Sequence, residues 1–472
     1  MPIQIFNSLT RQKELFTPLD PAGKRVLFYA CGPTVYGKFH IGNARTFVNT
    51  DVIRRWLVHR GYDVQFVMNI TDVDDKIIKK ANDEGVTSEE IAARYTEYFL
   101  SMLARMGNLP ATDNPKATEH IPQMIAMIAR LIDRGHAYAS ADGSVWFDVA
   151  SFRDYGKLSR MPLVDMKQGE RVDSEQQKLK RSPLDFALWK SAKPGEPAWP
   201  SPWGNGRPGW HIECSCMSME ALHTETIDIH SGGSDLKFPH HENEIAQSEC
   251  ATGKPFARYW MHLGMLDVEG MKMSKSLGNV KNIDEVMELI DPLVLRYFLM
   301  SARYRDKIDY SESNIHQCRS AITRMKNAEI GARNYTKEIK ANDWKSDSEL
   351  SAIWNEFADG MDDDFNTPRA IAAIARLVTL LNSRIGVDRD KDRVSRASAL
   401  LAEMRDALGL TKDLEQKPDD GISEAEIEAL KDQRTQAKKD RNFTLADQIR
   451  KDLLAKGVQL EDLRSETIWK RV

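Results

Sequence analysis

The sequence predicts an α/β chain in which a parallel-sheet domain is split by an insertion and followed by a helical bundle and a small C-terminal module. Three observations carry that expectation. Strand-like apolar runs alternate with helix-like segments over the first 81 residues and again from Trp210 to Gly264; the pattern breaks between about Pro110 and Trp203; and helical periodicity dominates after Asp284. A chain of 472 residues also exceeds what one hydrophobic core supports, so several units follow.

Taken in order, Lys24 to Ala30 reads as a strand, Asn43 to Arg60 as a helix, Asp63 to Asn69 as a second strand and Asp72 to Ala81 as a second helix. The broken region holds a helix near Ile121 to Arg134, a hairpin turn at Asp142-Gly143 and then a polar, proline-rich passage, and so reads as inserted. Alternation resumes with Thr226 to His230 as a buried strand and a helix starting at Pro239. Later helices are expected over Asp291 to Arg303, Asn314 to Asn334, Leu350 to Met361, Pro368 to Ile385 and Ser395 to Leu408, which pack as a bundle. Thr411 to Gly421 reads as a linker, and two helical segments with a short tail around Trp469 complete the chain.

Composition excludes some function classes. With 41% hydrophobic and 29% charged residues, and no run near the roughly 18 apolar residues of a membrane span, a soluble protein with no membrane partner is expected. Met1 to Ser8 lacks a basic start followed by an apolar core, so a cytoplasmic location is expected. Five cysteines, at 31, 214, 216, 250 and 318, are odd in number and scattered, and read as thiols rather than a disulfide framework. A net charge of −4 argues against a uniformly basic coat for nucleic acid. The stretch from Lys431 onward opposes that sign, with 11 basic against 7 acidic residues, as a phosphate-backbone contact or a solvated amphipathic helix would.

Two segments point to phosphate chemistry. Lys272-Met273-Ser274-Lys275-Ser276 brackets hydroxyls with ammonium groups in a loop flanked by Gly270 and Gly278, a composition able to close over a triphosphate. Alone, it would sooner be a solvated basic turn. His40-Ile41-Gly42-Asn43 lies 232 residues upstream at a strand-to-helix junction, where amides and the helix dipole attract phosphate. Ser231-Gly232-Gly233-Ser234-Asp235 follows a predicted strand, where glycines permit close backbone approach to a nucleotide and Asp235 can accept ribose hydrogen bonds.

A metal site is also possible beside them. Cys31 lies nine residues before His40, and His240 and Glu244, four apart, share one helical face. With Cys214, one thiolate from each of two strand ends joins an imidazole and a carboxylate from one helical turn, a donor set suited to zinc. The residues alone leave other readings open: Cys31 as a small buried hydrophobe, His240 and Glu244 as a helix-surface pair, and Cys214 with Cys216 as two ligands or none.

The histidine and lysine segments resemble the HIGH and KMSKS signatures of class I aminoacyl-tRNA synthetases, with Asn43 replacing the second histidine. Cys31-Gly32-Pro33-Thr34-Val35-Tyr36, Asn69-Ile70-Thr71-Asp72, Trp210-His211-Ile212-Glu213-Cys214-Ser215 and Phe238-Pro239-His240-His241-Glu242-Asn243-Glu244 resemble, in order, the blocks of the cysteinyl-tRNA synthetase family. The similarity runs from Ile5 to Trp469.

This resemblance implies a Rossmann-like catalytic domain that activates L-cysteine with ATP to cysteinyl-adenylate, releases pyrophosphate and transfers cysteine to tRNA(Cys). It implies one zinc ion per chain on Cys31, Cys214, His240 and Glu244, recognising the substrate thiolate, and magnesium accompanying ATP. His40, Asn43, Lys272 and Lys275 would be catalytic. Gly42, Gly233, Ser234 and Asp235 would join His40, Asn43 and Lys275 around ATP. Gly32, Thr34, Thr46, Asn69, Ile70, Thr71, Trp210 and His240 would surround the cysteine and its adenylate.

The implied units are a catalytic domain at 1–110 and 206–264, a connective insertion at 111–205, a stem-contact region with the lysine loop at 265–310, a bundle at 311–410, a linker at 411–421 and an anticodon-binding module at 422–472. A monomer is expected. Two departures bear on catalysis: Asn43 donates a hydrogen bond but cannot become cationic, and Ser231 stands where the family has a glycine. Cys216 has no counterpart among the ligands. Two rival readings are a cysteine ligase of mycothiol biosynthesis, which resembles the catalytic half but lacks the terminal module, and a catalytically inactive, zinc-stabilised RNA-binding protein. Intact His40, Lys272 and Lys275 oppose the second.

Overall fold

Two runs of β-branched and aromatic residues, each followed by a helix instead of a tight turn, set the architecture. The computed structural model describes residues 2–162, 166, 178–273, 278–336, 344–384, 391–411, 422–462 and 467–471. A hairpin of β1 (Gln4–Asn7) and β2 (Gln12–Leu15) leads to β3 (Arg25–Ala30), α1 (Ile41–His59), β4 (Asp63–Met68), α2 (Asp75–Glu84) and α3 (Ser88–Arg105). The insertion follows, with α4 (Ile121–Asp133) and an antiparallel sheet of β5 (Ala137–Ala139), β6 (Val145–Phe147), β7 (Phe186–Ser191) and β8 (Gly206–Pro208). Its hairpin turns at Gly143, whose φ of +86° favours glycine. Part of its polar passage, 163–165 and 167–177, lies outside the described residues.

The chain then returns to the first sheet through α5 (Trp210–Leu222), β9 (Ile227–Gly233), α6 (His240–Thr252) and β10 (Ala257–Leu263). All pairs in the resulting sheet, ordered β10-β9-β3-β4, are parallel. Phe28 is level with Ile229 on one side and Phe66 on the other, so the two halves separated by the insertion meet at the sheet's centre. Both faces of β3 are buried from Val26 onward, as a sheet covered by crossover helices requires.

Beyond it come β11 (Leu266–Val268), β12 (Met271–Lys272), α7 (Ile283–Leu289), α8 (Pro292–Leu299) and β13 (Ile308–Tyr310). The bundle is α9 (Glu312–Thr336), α10 (Ser348–Asp362), α11 (Thr367–Arg384) and α12 (Lys391–Ala407). The terminal module comprises α13 (Glu424–Lys439), α14 (Phe443–Ala455) and a hairpin of β14 (Val458–Asp462) and β15 (Thr467–Arg471). Its tail is therefore a strand, and Trp469 is buried with its indole N–H donating to Glu428 Oε1 at 2.6 Å. Of the expected linker, 412–421 lies outside the described residues. No helix of the described residues is long and apolar enough to cross a membrane.

Several boundaries depart from expectation for local reasons. The second helix starts at Asp75 instead of Asp72, because Asp74 caps it by accepting from the Lys76 amide at 3.0 Å, while Asp72 accepts from the Thr118 amide and hydroxyl. The helix expected over Asp291 to Arg303 ends at Leu299, and the Met300 carbonyl accepts the Thr367 hydroxyl at 2.6 Å. Helix α3 was absent from the expected elements although its Thr87–Glu90 capping box is legible as Thr-x-x-Glu.

The parallel sheet and the bundle are joined through α1. Fully buried Arg296 donates to the carbonyls of Met106 and Leu408 and pairs with Asp51, which also takes Arg55 and the Leu109 amide. Replacing Asp51 with alanine leaves the Arg296 charge buried without its partner, a loss of about 3–5 kcal/mol. The Asp51→Ala variant should unfold at clearly lower urea, with Asp51→Asn between it and the parent; an unchanged midpoint would contradict this view of the junction.

Candidate active site

Cys31 follows directly on β3, and its amide continues the ladder by donating to Ser231 O of β9 at 2.9 Å. Cys214 lies in the first turns of α5, not at a strand end as the sequence reading had it, because the preceding strand ends at Pro208 and the helix starts at Trp210. His240 and Glu244 occupy successive turns of α6, facing the same way. The ligand atoms of these four buried residues all lie within 4.8 Å of one another.

Their geometry suits zinc. Tetrahedral thiolates about 2.3 Å from the ion have sulfurs about 3.8 Å apart. The Sγ atoms of Cys31 and Cys214 are 3.8 Å apart. His240 Nε2 is 2.9 Å from Glu244 Oε1, so this nitrogen faces the cluster, while His240 Nδ1 is 2.9 Å from His211 Nδ1, which fixes the ring's orientation. Trp210 stacks on the His240 ring with centroids 4.1 Å apart. A second set, Cys31, His230, His241 and Glu244, shares two of these donors. It has one thiol instead of two, and its His230 Nε2 is bonded to Glu244 Oε2 at 2.7 Å, so it supports the first set better than it replaces it.

Protonation differs sharply across the cluster. Burial pushes the Cys31 thiol well above its ordinary range, and Cys214 and Glu244 push it further. The hydrogen bond from Cys31 brings Cys214 down to about 6 against the opposing effect of burial. Burial would raise Glu244, but His230 and His240 hold it well below the usual carboxylate range. Burial would lower His240, but Glu244 and Cys214 raise it to about 10. One thiolate, one carboxylate and the protonated His240 ring thus converge on one point, and a divalent ion bound there would displace the His240 and Cys31 protons. Cys216 belongs to the core beside α4, where burial raises its thiol to about 12.

The phosphate segments converge at the first turn of α1. His40 is its N-cap, with Nδ1 accepting from the Asn43 amide at 3.3 Å, so the helix begins two residues earlier than expected. A Cβ on Gly42 would lie 2.8 Å from Met273 Cε, so the second signature approaches the first at this glycine. His40 pairs with Asn282 as an antiparallel bridge, and Asn279 Nδ2 donates to Lys272 O at 3.2 Å. Lys272 and Asn43 are exposed. Lys275 lies outside the described residues.

Between the two centres, the Gly32 amide donates to Asn69 Oδ1 at 2.8 Å, and a Cβ there would lie 1.7 Å from Asn69 O. Asn69 Nδ2 donates to Thr71 Oγ1, which donates to Glu213 Oε2 at 2.8 Å, and Thr34 bridges Thr71. Ile70 stands apart: its side chain is in the core, and its amide and carbonyl bond to Pro115 O and Ala117 N. Ser231 to Gly233 end β9 instead of following it, paired with Met261 to Leu263. Asp235, in the turn Ser234–Lys237, folds back so that a Cβ on Gly233 would lie 2.4 Å from its Oδ1 and 3.9 Å from Thr46 Oγ1.

The sequence reading missed the supporting residues. His211, His230, His241, His262 and Glu213 surround the donors, and a lone histidine on a strand carries no signal of that role. Glu213 is pushed well above its ordinary value by burial and by neighbouring Cys214.

Comparisons with known proteins agree on the family. Residues 17–320 match the catalytic domain of class I (C) tRNA synthetases and residues 356–412 match the DALR domain. A cysteine–tRNA ligase from Symbiobacterium thermophilum is 48% identical over 478 aligned residues, covering 100% of both chains. One from Lachnospira eligens is 45% identical, covering 99% of this chain and 100% of its own. Among solved structures, a LeuRS–tRNA–LeuAMS ternary complex of Agrobacterium radiobacter K84 superposes with TM-score 0.62 at 12% identity, covering 84% of this chain and 86% of that one. A methionyl-tRNA synthetase of Mycobacterium tuberculosis with methionyl-adenylate gives 0.58 at 16%, covering 82% and 89%. At those identities the two structures speak for the fold alone.

His262, whose Nε2 is 2.9 Å from His241 Nδ1, is driven down to about 3 by burial and next by Lys237. Its folded pKa lies below the unfolded value, so its contribution to stability is present above about pH 6.5 and lost as pH falls toward 3. The slope is about 1.4 kcal/mol per pH unit. Urea unfolding followed from pH 7 to 4 should show a shallower decline for His262→Asn than for the parent; parallel declines would refute this assignment.

Proposed function

The chain belongs to the cysteine–tRNA ligase family of class I tRNA synthetases, and on that membership we propose that it charges tRNA(Cys) in two steps. The carboxylate of L-cysteine attacks the α-phosphate of magnesium-bound ATP, forming cysteinyl-adenylate as the bond to pyrophosphate breaks. A terminal ribose hydroxyl of tRNA then attacks the adenylate carbonyl and AMP leaves. The observation that carries the choice of amino acid is the pair of thiols, Cys31 and Cys214, meeting His240 and Glu244 in one buried cluster.

Bound there, zinc would supply a thiol-seeking Lewis acid that favours the cysteine side chain over a serine hydroxyl, a distinction an apolar pocket makes poorly. The protein's own residues position groups and stabilise charge. With His40 Nδ1 accepting from the Asn43 amide, the ring proton belongs on Nε2, the donor that a phosphate oxygen needs. Asn43, exposed on the same turn, offers a neutral amide donor. Asp235, folded over Gly233 beside Thr46, suits the ribose. Trp210 packs over His240 and bounds the amino-acid end. The Lys272 segment, with Lys275, is assigned to the pyrophosphate side. The terminal module is assigned to the anticodon arm, although its helices balance acidic and basic residues and Arg434 is buried in an ion pair with Asp462. Its presence, and full-length coverage of the relatives, favour tRNA over a small amino-sugar acceptor.

The deciding experiment has two stages: cysteine-dependent exchange of pyrophosphate into ATP, then charging of tRNA(Cys). Both are expected, with serine activated far more slowly at equal concentration; equal rates would overturn the role given to the thiols. Lys275→Ala should cut the exchange rate by about 100-fold with cysteine affinity little changed. Comparable loss of both would place the lysine elsewhere. A chain truncated before Gly421 should still form the adenylate but charge tRNA poorly, and undiminished charging would remove the anticodon assignment.

A further inference from the structure

Arg45 is fully buried two residues beyond Asn43, on the second turn of α1. Among the described residues it forms no ion pair. Its Nη1 donates to Gly264 O at 3.0 Å and Met265 O at 2.7 Å, its Nη2 donates to Arg303 O at 3.1 Å, and its Nε has no partner. All of the guanidinium's hydrogen bonds go to carbonyls, burial lowers it to about 10 with only a partial offset from the Asp306 carboxylate, and a neutral donor would answer the same oxygens more cheaply. The fixed planar fork is what a neutral or flexible donor lacks.

The three carbonyls identify what that fork holds. Gly264 and Met265 immediately precede β11, whose antiparallel partner β12 ends at Lys272. The backbone is pinched here: a Cβ on Gly264 would lie 2.1 Å from Asp306 O. At the far side of the lysine loop the chain returns to the same helix end, where the Ile41 amide donates to Lys281 O at 2.9 Å and the Ile283 amide to Phe39 O at 3.1 Å. Between these anchors, Met273 rests against Gly42. The segment carrying Lys272 is therefore fastened at both ends to the turn that presents His40 and Asn43, and Arg45 is the side-chain fastening.

We propose that Arg45 is a positioning residue for adenylate formation: its guanidinium sets the Gly264–Lys272 segment at a fixed distance from the His40 turn and so keeps the two phosphate-binding segments in register. The proposal rests on the reading above, in which both segments act on ATP.

The test is a double-mutant cycle on the full-length, zinc-loaded protein, read as cysteine-dependent pyrophosphate exchange. Arg45→Gln should lower kcat by about 10- to 100-fold, the scale of a small misplacement of reacting groups, while the KM for cysteine stays within about twofold and zinc content is unchanged. Arg45→Lys, which keeps the charge but not the fork, should fall between; it carries the same cycle if Arg45→Gln does not fold. Combined with Lys272→Ala, either substitution should add little to the loss that Lys272→Ala causes alone, since the arginine acts through that segment. Losses that multiply in the double variant, or a cysteine KM that rises with the fall in kcat, would overturn the proposal while leaving the lysine's role intact. Full exchange by Lys272→Ala alone would overturn both.

Discussion

The parallel pairing of β3 with β9 joins Phe28 to Ile229, residues 201 positions apart, and the chemistry of the molecule depends on it. The last bond of that ladder, Cys31 N to Ser231 O, lies where two strands end together. Helix α1 leaves one strand end and α6 follows the other, so their first turns necessarily meet at the sheet's carboxyl edge. His40 and Asn43 arrive with the first helix, and His240 and Glu244 with the second. Slipping the register by one residue would turn Cys31 to the opposite face and dismantle the cluster. Asp228 secures the pair further by accepting from the Leu27 amide at 2.8 Å.

That edge is an unusual interior. Two thiols, five imidazoles and two carboxyl groups are gathered where apolar packing would be cheaper, and burial works against every charge among them. The arrangement holds because each ionised group has a specific answer: His230 and His240 for Glu244, and the Cys31 thiol for Cys214. Aromatic faces fix the imidazoles, with Trp260 stacked on His230 at 4.4 Å and Trp210 on His240. A cluster so constrained resists collapse into ordinary packing, which is the condition for selecting a ligand by its chemistry instead of its volume.

Much of this was legible before the structure. Strand β3, the helix after it, the insertion and the bundle all announce themselves by period and by turn residues. Chemistry and family resemblance named the four residues that the fold gathers into one cluster, with Cys214 assigned to the wrong kind of element. What escaped was tertiary. Ser231-Gly232-Gly233 reads as loop because serine and glycine make poor strands, yet β10 extends the ladder through them. A Cβ on Gly232 would lie 2.8 Å from the His241 ring, so these small residues admit a histidine and do not mark a turn. Arg45 had no signal at all: an arginine early in a helix reads as solvated, and only the fold shows it surrounded by three carbonyls.

Helix α1 has a further consequence. Its 19 residues span about 28 Å. One end presents His40 and Asn43; the other lies in the bundle, where the Trp56 indole donates to Asp362 Oδ1 at 3.0 Å and the ring packs beside Trp354 and Phe357. Near its middle, Asp51 pairs with Arg296. The helix is buried along most of this length, so it cannot tilt without breaking contacts in both units. The bundle is thereby held at a set distance from the His40 turn. Arg45 then ties the Gly264–Lys272 segment to that same rod, so the buried thiol cluster, the His40 turn and the bundle share one reference.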